Sequence, residues 1–239
     1  MYAKKKNRTW LLILVAIVAV GAVTGSAYAK YKKTLTYSGT LTFKAELGSL
    51  DLAEHIATRN LDGSYTLSSE KVLASSLTAN AKPINTYQLI PGLDIPKDPR
   101  VIVSNKTSIE AYLFVEIVDT LAEKIGDQTY RPITYQVSAD WKELSGVTGK
   151  HEGKVYVYKG TGDEAAVLDE AFTKDATVEI PILAPLEGKT ETVQVSQELN
   201  AQLVNDGDDI LTFYAAMGET ALGNNVAEEV YKAIFKNAP

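Results

Sequence analysis

An all-β fold of two packed sheets with short helical additions follows from three features of the sequence. Thr34 to Leu47 alternates strictly: Leu35, Tyr37, Leu41, Phe43, Ala45 and Leu47 lie on one side, and Thr34, Thr36, Ser38, Thr40, Thr42, Lys44 and Glu46 on the other. Only a half-buried strand sorts residues that way. Glu110 to Val118 is apolar on most of both faces, with Ala111, Leu113, Val115 and Ile117 on one and Tyr112, Phe114, Glu116 and Val118 on the other, which predicts a central strand. Shorter runs of the same kind recur between turn residues along the rest of the chain.

Taken in order, Gly39 falls on the apolar side of the first ribbon and marks a bulge or bend. Asp51 to Asn60 is predicted as a helical turn, Asp62-Gly63 as a hairpin turn before Ser64 to Leu67, and Val72 to Ala79 as a short strand. Pro91, Pro96 and Pro99 each fix φ and remove a backbone donor, so Tyr87 to Pro99 is a loop in which the chain turns. Arg100 to Ser104, carrying Val101 and Val103, is expected to pair with Glu110 to Val118 as an antiparallel hairpin across Asn105 to Ser108.

Thr134 to Asp140 alternates again, with Ile133, Tyr135 and Val137 on one face, and Trp141 closes the core beside it. A glycine-rich loop, Ser145 to Gly153, leads into a strand over Lys154 to Lys159 and a turn at Gly160 to Asp163. Asp163 to Thr173 is read as a short helix or turn. Thr177 to Leu183 is a strand whose Pro181 argues for an edge or a bulge. Gln194 to Val204 and Ile210 to Met217 flank Asn205 to Asp209 as a hairpin. Asn225 to Lys236 is an amphipathic helix with Val226, Val230, Ala233 and Ile234 on its apolar face and a capping box from Asn225 to Glu228.

Residues 1–29 differ in kind from the rest. A basic start at Lys4, Lys5, Lys6 and Arg8, an apolar run from Leu11 to Val23, and Ala27-Tyr28-Ala29 before Lys30 make an export signal, cleaved at Ala27, Ala29 and Lys30. The rival is a retained anchor, since Trp10 to Ala29 runs uncharged for 20 residues. Residues 30–239 then form one β-sandwich domain, of a size such folds reach undivided. No sorting motif or apolar tail follows the helix, so membrane contact is expected only through the N-terminal segment before cleavage. Losing the leader removes four of the 24 basic residues and none of the 30 acidic ones, leaving a net charge of −10. Phosphate backbones repel such a chain, so nucleic acid is not an expected partner.

Little in the sequence points to catalysis. Cysteine is absent, which excludes disulfides, thiolate metal sites and cysteine nucleophiles. The two histidines, His55 and His151, have no second histidine at ligand spacing, and His151-Glu152 does not complete H-E-x-x-H. Gly146, Gly149 and Gly153 match neither phosphate-loop spacing. Asp206, Asp208 and Asp209 supply the oxygen donors calcium takes, yet lack EF-hand spacing and are equally explained as turn residues. No catalytic residue, cofactor or metal is therefore assigned.

The order of these features resembles the TasA and camelysin family of exported matrix and surface proteins, which are processed by a SipW-type signal peptidase. The resembling stretches are the leader through Ala27-Tyr28-Ala29-Lys30-Tyr31, GTLTFKAELGSLDLAEH at Gly39 to His55, IPGLDIPKDPRVIV with AYLFVEIV between Ile90 and Val118, and LTFYAAMGETALGNNVAEEVYKAI at Leu211 to Ile234. PGLDIPKDP is the most specific of them. The resemblance implies a jelly-roll-like sandwich, secretion to the matrix or cell surface, and homopolymeric fibres. In such fibres the mature N-terminal strand of one subunit completes the next. Carried over, Lys30 to Leu47 is the donor strand, with Leu35, Tyr37, Leu41 and Phe43 filling pockets of the acceptor. The alternatives are a monomeric secreted or membrane-tethered binding module, or a metallopeptidase, as some classify the family. No residue constellation in this chain supports the last.

Overall fold

The structure, a computed structural model, describes residues 31–35, 49–76, 85, 87–88, 90–104, 109–119, 123–125, 128–131, 133–169, 172, 177–197 and 211–235. Its strands are β1 (Tyr31–Leu35), β2 (Ser49–Arg59), β3 (Tyr65–Leu73), β4 (Asp94–Ile95), β5 (Arg100–Ser104), β6 (Ala111–Asp119), β7 (Glu123–Ile125), β8 (Gln128–Tyr130), β9 (Ile133–Val137), β10 (Trp141–Thr148), β11 (Lys154–Tyr158), β12 (Val178–Pro181), β13 (Leu183–Ala184), β14 (Val193–Val195) and β15 (Leu211–Glu219). A C-terminal helix, α1 (Ala227–Phe235), and short 3-10 turns at Ala74–Ser76 and Thr220–Gly223 complete it. The fold is an all-β sandwich. One sheet has the order β1-β15-β6-β11-β10 and faces a second with the order β12-β5-β2-β3. A smaller sheet, β13-β9-β14-β4, closes the core, and β7 and β8 form a separate ribbon.

The core lies between the layers. From the first sheet it takes Leu113, Val115 and Ile117 of β6 and Phe213, Ala215 and Met217 of β15; from the second, Leu50 and Leu52 of β2 and Val101 and Val103 of β5. Each large side chain buried there contributes about 1.5–3 kcal/mol. The other face of β6 is also covered, as its two-faced apolar pattern requires: Tyr112 and Phe114 pack with Val155 and Val157 of β11 beneath Val230, Tyr231 and Ile234 of α1. Gly218 makes room for the helix, since a Cβ there would stand 2.4 Å from Ile234 Cδ1.

Several expectations hold. Pro181 sits in β12, an edge strand; Gly63, with φ +90°, turns the chain from β2 into β3; Trp141 is buried, with its indole N–H donating to the Pro181 carbonyl at 2.8 Å. Others fail. β5 and β6 are not a hairpin: β5 pairs with β2 and β12 while β6 pairs with β15 and β11, so the chain crosses from one sheet to the other between them. Likewise β14 pairs with β4 and β9 and not with β15. Alternation identifies a strand without naming its neighbour.

Asp51 to Asn60 is no helical turn but the middle and end of β2. Its alternation was obscured by charge, because Glu54 continues the inward face of Leu50 and Leu52 and is fully buried. The strand expected at Val72 to Ala79 is the end of β3 followed by the 3-10 turn, up to the limit of the described residues. Ser145 to Thr148 belong to β10, where a register irregularity accommodates Gly146 at φ +84°. Asp163 to Thr173 forms no helix among its described residues; Leu168 instead bridges to Ala111. The capping box does not form at Asn225, which has φ +62° and gives its carbonyl to the Tyr112 hydroxyl. In α1, Tyr231 replaces Val226 on the apolar face, and Val226 is 44% exposed.

Candidate strand-docking site

β15 has two edges. One pairs antiparallel with β6 over its whole length, and the other receives β1 in parallel, with Tyr31 opposite Phe213 and Leu35 opposite Met217. β1 also runs beside β2 and the Ala74–Ser76 turn. It is therefore a side wall of the sandwich, lying along the seam between the two large sheets. Of the five residues of this wall, Thr34 and Leu35 begin the alternating ribbon, and alternate residues of the strand offer main-chain groups to β15.

A buried ion pair occupies the same seam. Glu54 of β2 is 0% exposed and Lys97, from the proline loop, 5%. Lys97 Nζ lies 3.0 Å from Glu54 Oε1 and 3.4 Å from Oε2. The ammonium is also 5.8 Å from the centre of the Phe213 ring and 5.5 Å from that of Tyr87, close enough for cation–π attraction. The Tyr87 hydroxyl donates to Glu54 Oε1 at 3.3 Å, and burial together with the Glu54 charge pushes its pKa far up, so it stays a donor. Thr192 fixes the loop by donating its hydroxyl to the Lys97 carbonyl.

Next to this pair β2 outruns its partner β5, and side chains finish the edge. Asn85 accepts from Ala57 N–H at 2.7 Å and donates to His55 O at 2.8 Å, much as a paired strand residue would. Asp98 takes the His55 N–H at 3.1 Å and holds its ring Nδ1 at 2.5 Å, with Arg100 Nε 3.5 Å away.

A second polar cluster lies on the opposite face of the first sheet, under α1. Glu116 of β6 accepts the N–H groups of His151 and Gly153 at 2.7 and 2.9 Å on one oxygen. Its other oxygen meets His151 Nδ1 at 2.9 Å and the Tyr231 hydroxyl at 3.3 Å. Burial opposes ionisation of Glu116, but these hydrogen bonds outweigh it and hold the carboxyl below its ordinary range. The His151 ring stacks on Tyr214 of β15, 3.7 Å between centres. The glycine-rich loop thus does cradle an anion, namely the protein's own carboxylate. Gly149 and Gly153 are needed for this, because a Cβ at Gly149 would stand 2.1 Å from Glu116 Oε1 and one at Gly153 2.5 Å from the Ile117 carbonyl.

Of the sequence-predicted site residues, Leu35 lies in β1 against β15, while Tyr37, Leu41 and Phe43 are outside the described residues, as are Ala27, Ala29 and Lys30 and the acidic Asp206, Asp208 and Asp209. The two histidines lie apart, each held by its own carboxylate. Among the described residues no group of three or more His, Cys, Asp and Glu side chains is placed to hold a metal ion, and no helix is long and apolar enough to cross a membrane. Sequence reasoning missed the Glu54–Lys97 pair and the Glu116 cradle. The available signal was an acidic residue on a face otherwise apolar in each strand. No family model, curated protein or solved structure matches the chain.

Proposed function

We propose that this is an exported structural protein of the cell surface or biofilm matrix that polymerises by donating its N-terminal strand to a neighbouring subunit. The observation that carries the reading is the position of β1: a short terminal strand, parallel and at a sheet edge, along a seam of the sandwich. Such a strand makes mainly main-chain hydrogen bonds to its acceptor, and the same bonds are available to an identical strand from another copy. The resemblance to TasA and camelysin supports the same reading, and with it a jelly-roll-like course of the strands and processing by a SipW-type signal peptidase. Until the leader is cut, the ribbon is held at both ends, so cleavage would license donation.

The test compares chain starting at Lys30 with chain starting at residue 48, by size-exclusion chromatography and negative-stain microscopy. The first is expected to form fibres or large oligomers and the second to remain monomeric; monomers from both overturn the proposal. A second reading, a monomeric secreted or membrane-tethered binding module, is favoured by β1 pairing within its own chain. We assign no enzymatic activity, and a protease assay with and without chelator checks that assignment.

A further inference from the structure

We infer that the pocket between α1 and the outer face of β15 binds a trimethylammonium group. The inference is independent of strand donation. Among the described residues, the pocket is walled by the rings of Phe114, Tyr214, Tyr231, Phe235 and His151 and by the Glu116 carboxylate. The rings come together from β6, β15, the two last turns of α1 and the glycine-rich loop. Those from β6 and α1 form corners and not a stack: Phe114 and Tyr231 stand 71° apart with centres at 5.4 Å, and Tyr231 and Phe235 56° apart at 4.9 Å. The space is about 210 Å³, part of it open to solvent. Pockets that take whole drug-sized molecules run to about 300–1,000 Å³, so this one accepts a headgroup and leaves the rest of its ligand outside.

Charge and hydrogen bonding together select the class of headgroup. Aromatic faces attract cations, and one wall already does so, since Nζ of the exposed Lys150 lies 5.7 Å from the centre of the Phe235 ring. A bound ligand would take over that wall and return the lysine to water. Glu116 adds a carboxylate charge, and three of the groups around it, the His151 and Gly153 N–H groups and the Tyr231 hydroxyl, are uncharged and leave that charge in place. A primary ammonium carries three N–H donors and needs acceptors for them. Glu116 has none to spare, because these three groups and His151 Nδ1 take up the about four lone-pair positions of a carboxylate. A nitrogen bearing only carbon substituents has no N–H to satisfy. It suits a site that offers negative charge and ring faces but no vacant acceptor.

Titration calorimetry of the full chain with choline, ethanolamine and 3,3-dimethyl-1-butanol, the neutral carbon counterpart of choline, tests this. Choline is expected to bind at least about tenfold more tightly than either of the others. Phe235→Leu, which keeps apolar bulk and removes a ring, is expected to weaken choline by about tenfold, and Tyr214→Leu serves in its place should that variant not fold. Phosphatidylcholine vesicles, set against vesicles of phosphatidylethanolamine and phosphatidylglycerol, separate the two sources of the group. Retention by the first alone, lost in the ring variant, assigns the pocket to a lipid headgroup, and choline binding without such retention assigns it to a free solute. Binding of neither choline nor phosphatidylcholine vesicles overturns the inference, as does equal binding of choline and the neutral alcohol.

Discussion

Two carboxylates are buried on opposite sides of the first sheet, and the molecule compensates them differently. Glu54, 0% exposed, faces an ammonium from a loop distant in sequence. Glu116, 3% exposed, is wrapped by a loop that supplies two backbone N–H groups, a histidine and, from α1, a phenol. The first arrangement sets one full charge against another, with the Tyr87 hydroxyl as a further donor to Glu54, so removing the ammonium takes away a whole compensating charge. The second spreads compensation over four donors, so each loss is partial. The difference also matches location, since Glu54 lies at a seam bounded by a terminal strand and Glu116 beneath a helix seated on Gly218.

The contrast breaks most visibly at Lys97. Lys97→Met should destabilise the protein by about 3–5 kcal/mol in urea unfolding, as loss of one partner from a buried pair does. Glu116→Ala comes next, at about 2–3 kcal/mol, because the His151 and Gly153 N–H groups lose their acceptor. Gly149→Ala should lose about 1–3 kcal/mol through collision with the same carboxylate, read from the thermal midpoint, and should be milder in a Glu116→Ala background. Lys142→Ala, which removes an exposed ion pair with Glu164, sets the scale of a surface charge, with less than about 1 kcal/mol expected.

Acid sharpens the comparison. The Glu116 carboxyl is held below its ordinary value of 4.5, so its stabilising contribution is complete above that pH and is lost as pH falls through the lower folded value. Unfolding curves of wild type should weaken over that window, and Glu116→Gln should be less stable near neutrality while losing that part of the acid dependence. Equal acid slopes in the two proteins would show that the cradle does not favour the ionised form.

How much is legible in the sequence depends on what each residue faces. The two-sided apolar pattern of β6 marked a central strand because both faces are in fact covered, by the sandwich core and by α1. Pro181 marked an edge because it cannot donate to a neighbouring strand. The errors fall where polar groups are buried or where partners are distant. Glu54 and Asp51 disguised β2, since a buried charge reads as a solvent-facing position until its partner is found, and Lys97 lies 43 residues away. The hairpins expected at β5–β6 and β14–β15 were nearest-neighbour guesses, and both pairs of strands separate into different sheets. The glycine loop was legible as a close approach of backbone, but not as one directed at Glu116.

The bond from Trp141 to the Pro181 carbonyl joins the last strand of one large sheet to the edge strand of the other. The chain's other tryptophan is Trp10, so a chain starting at Lys30 carries a single indole, and that indole reports on one clasp. Its emission should shift red when the two layers part on that side, and should stay blue if only β1 is detached from β15. One optical signal would thus separate a parting of the two layers from detachment of the strand at the opposite border of the first sheet.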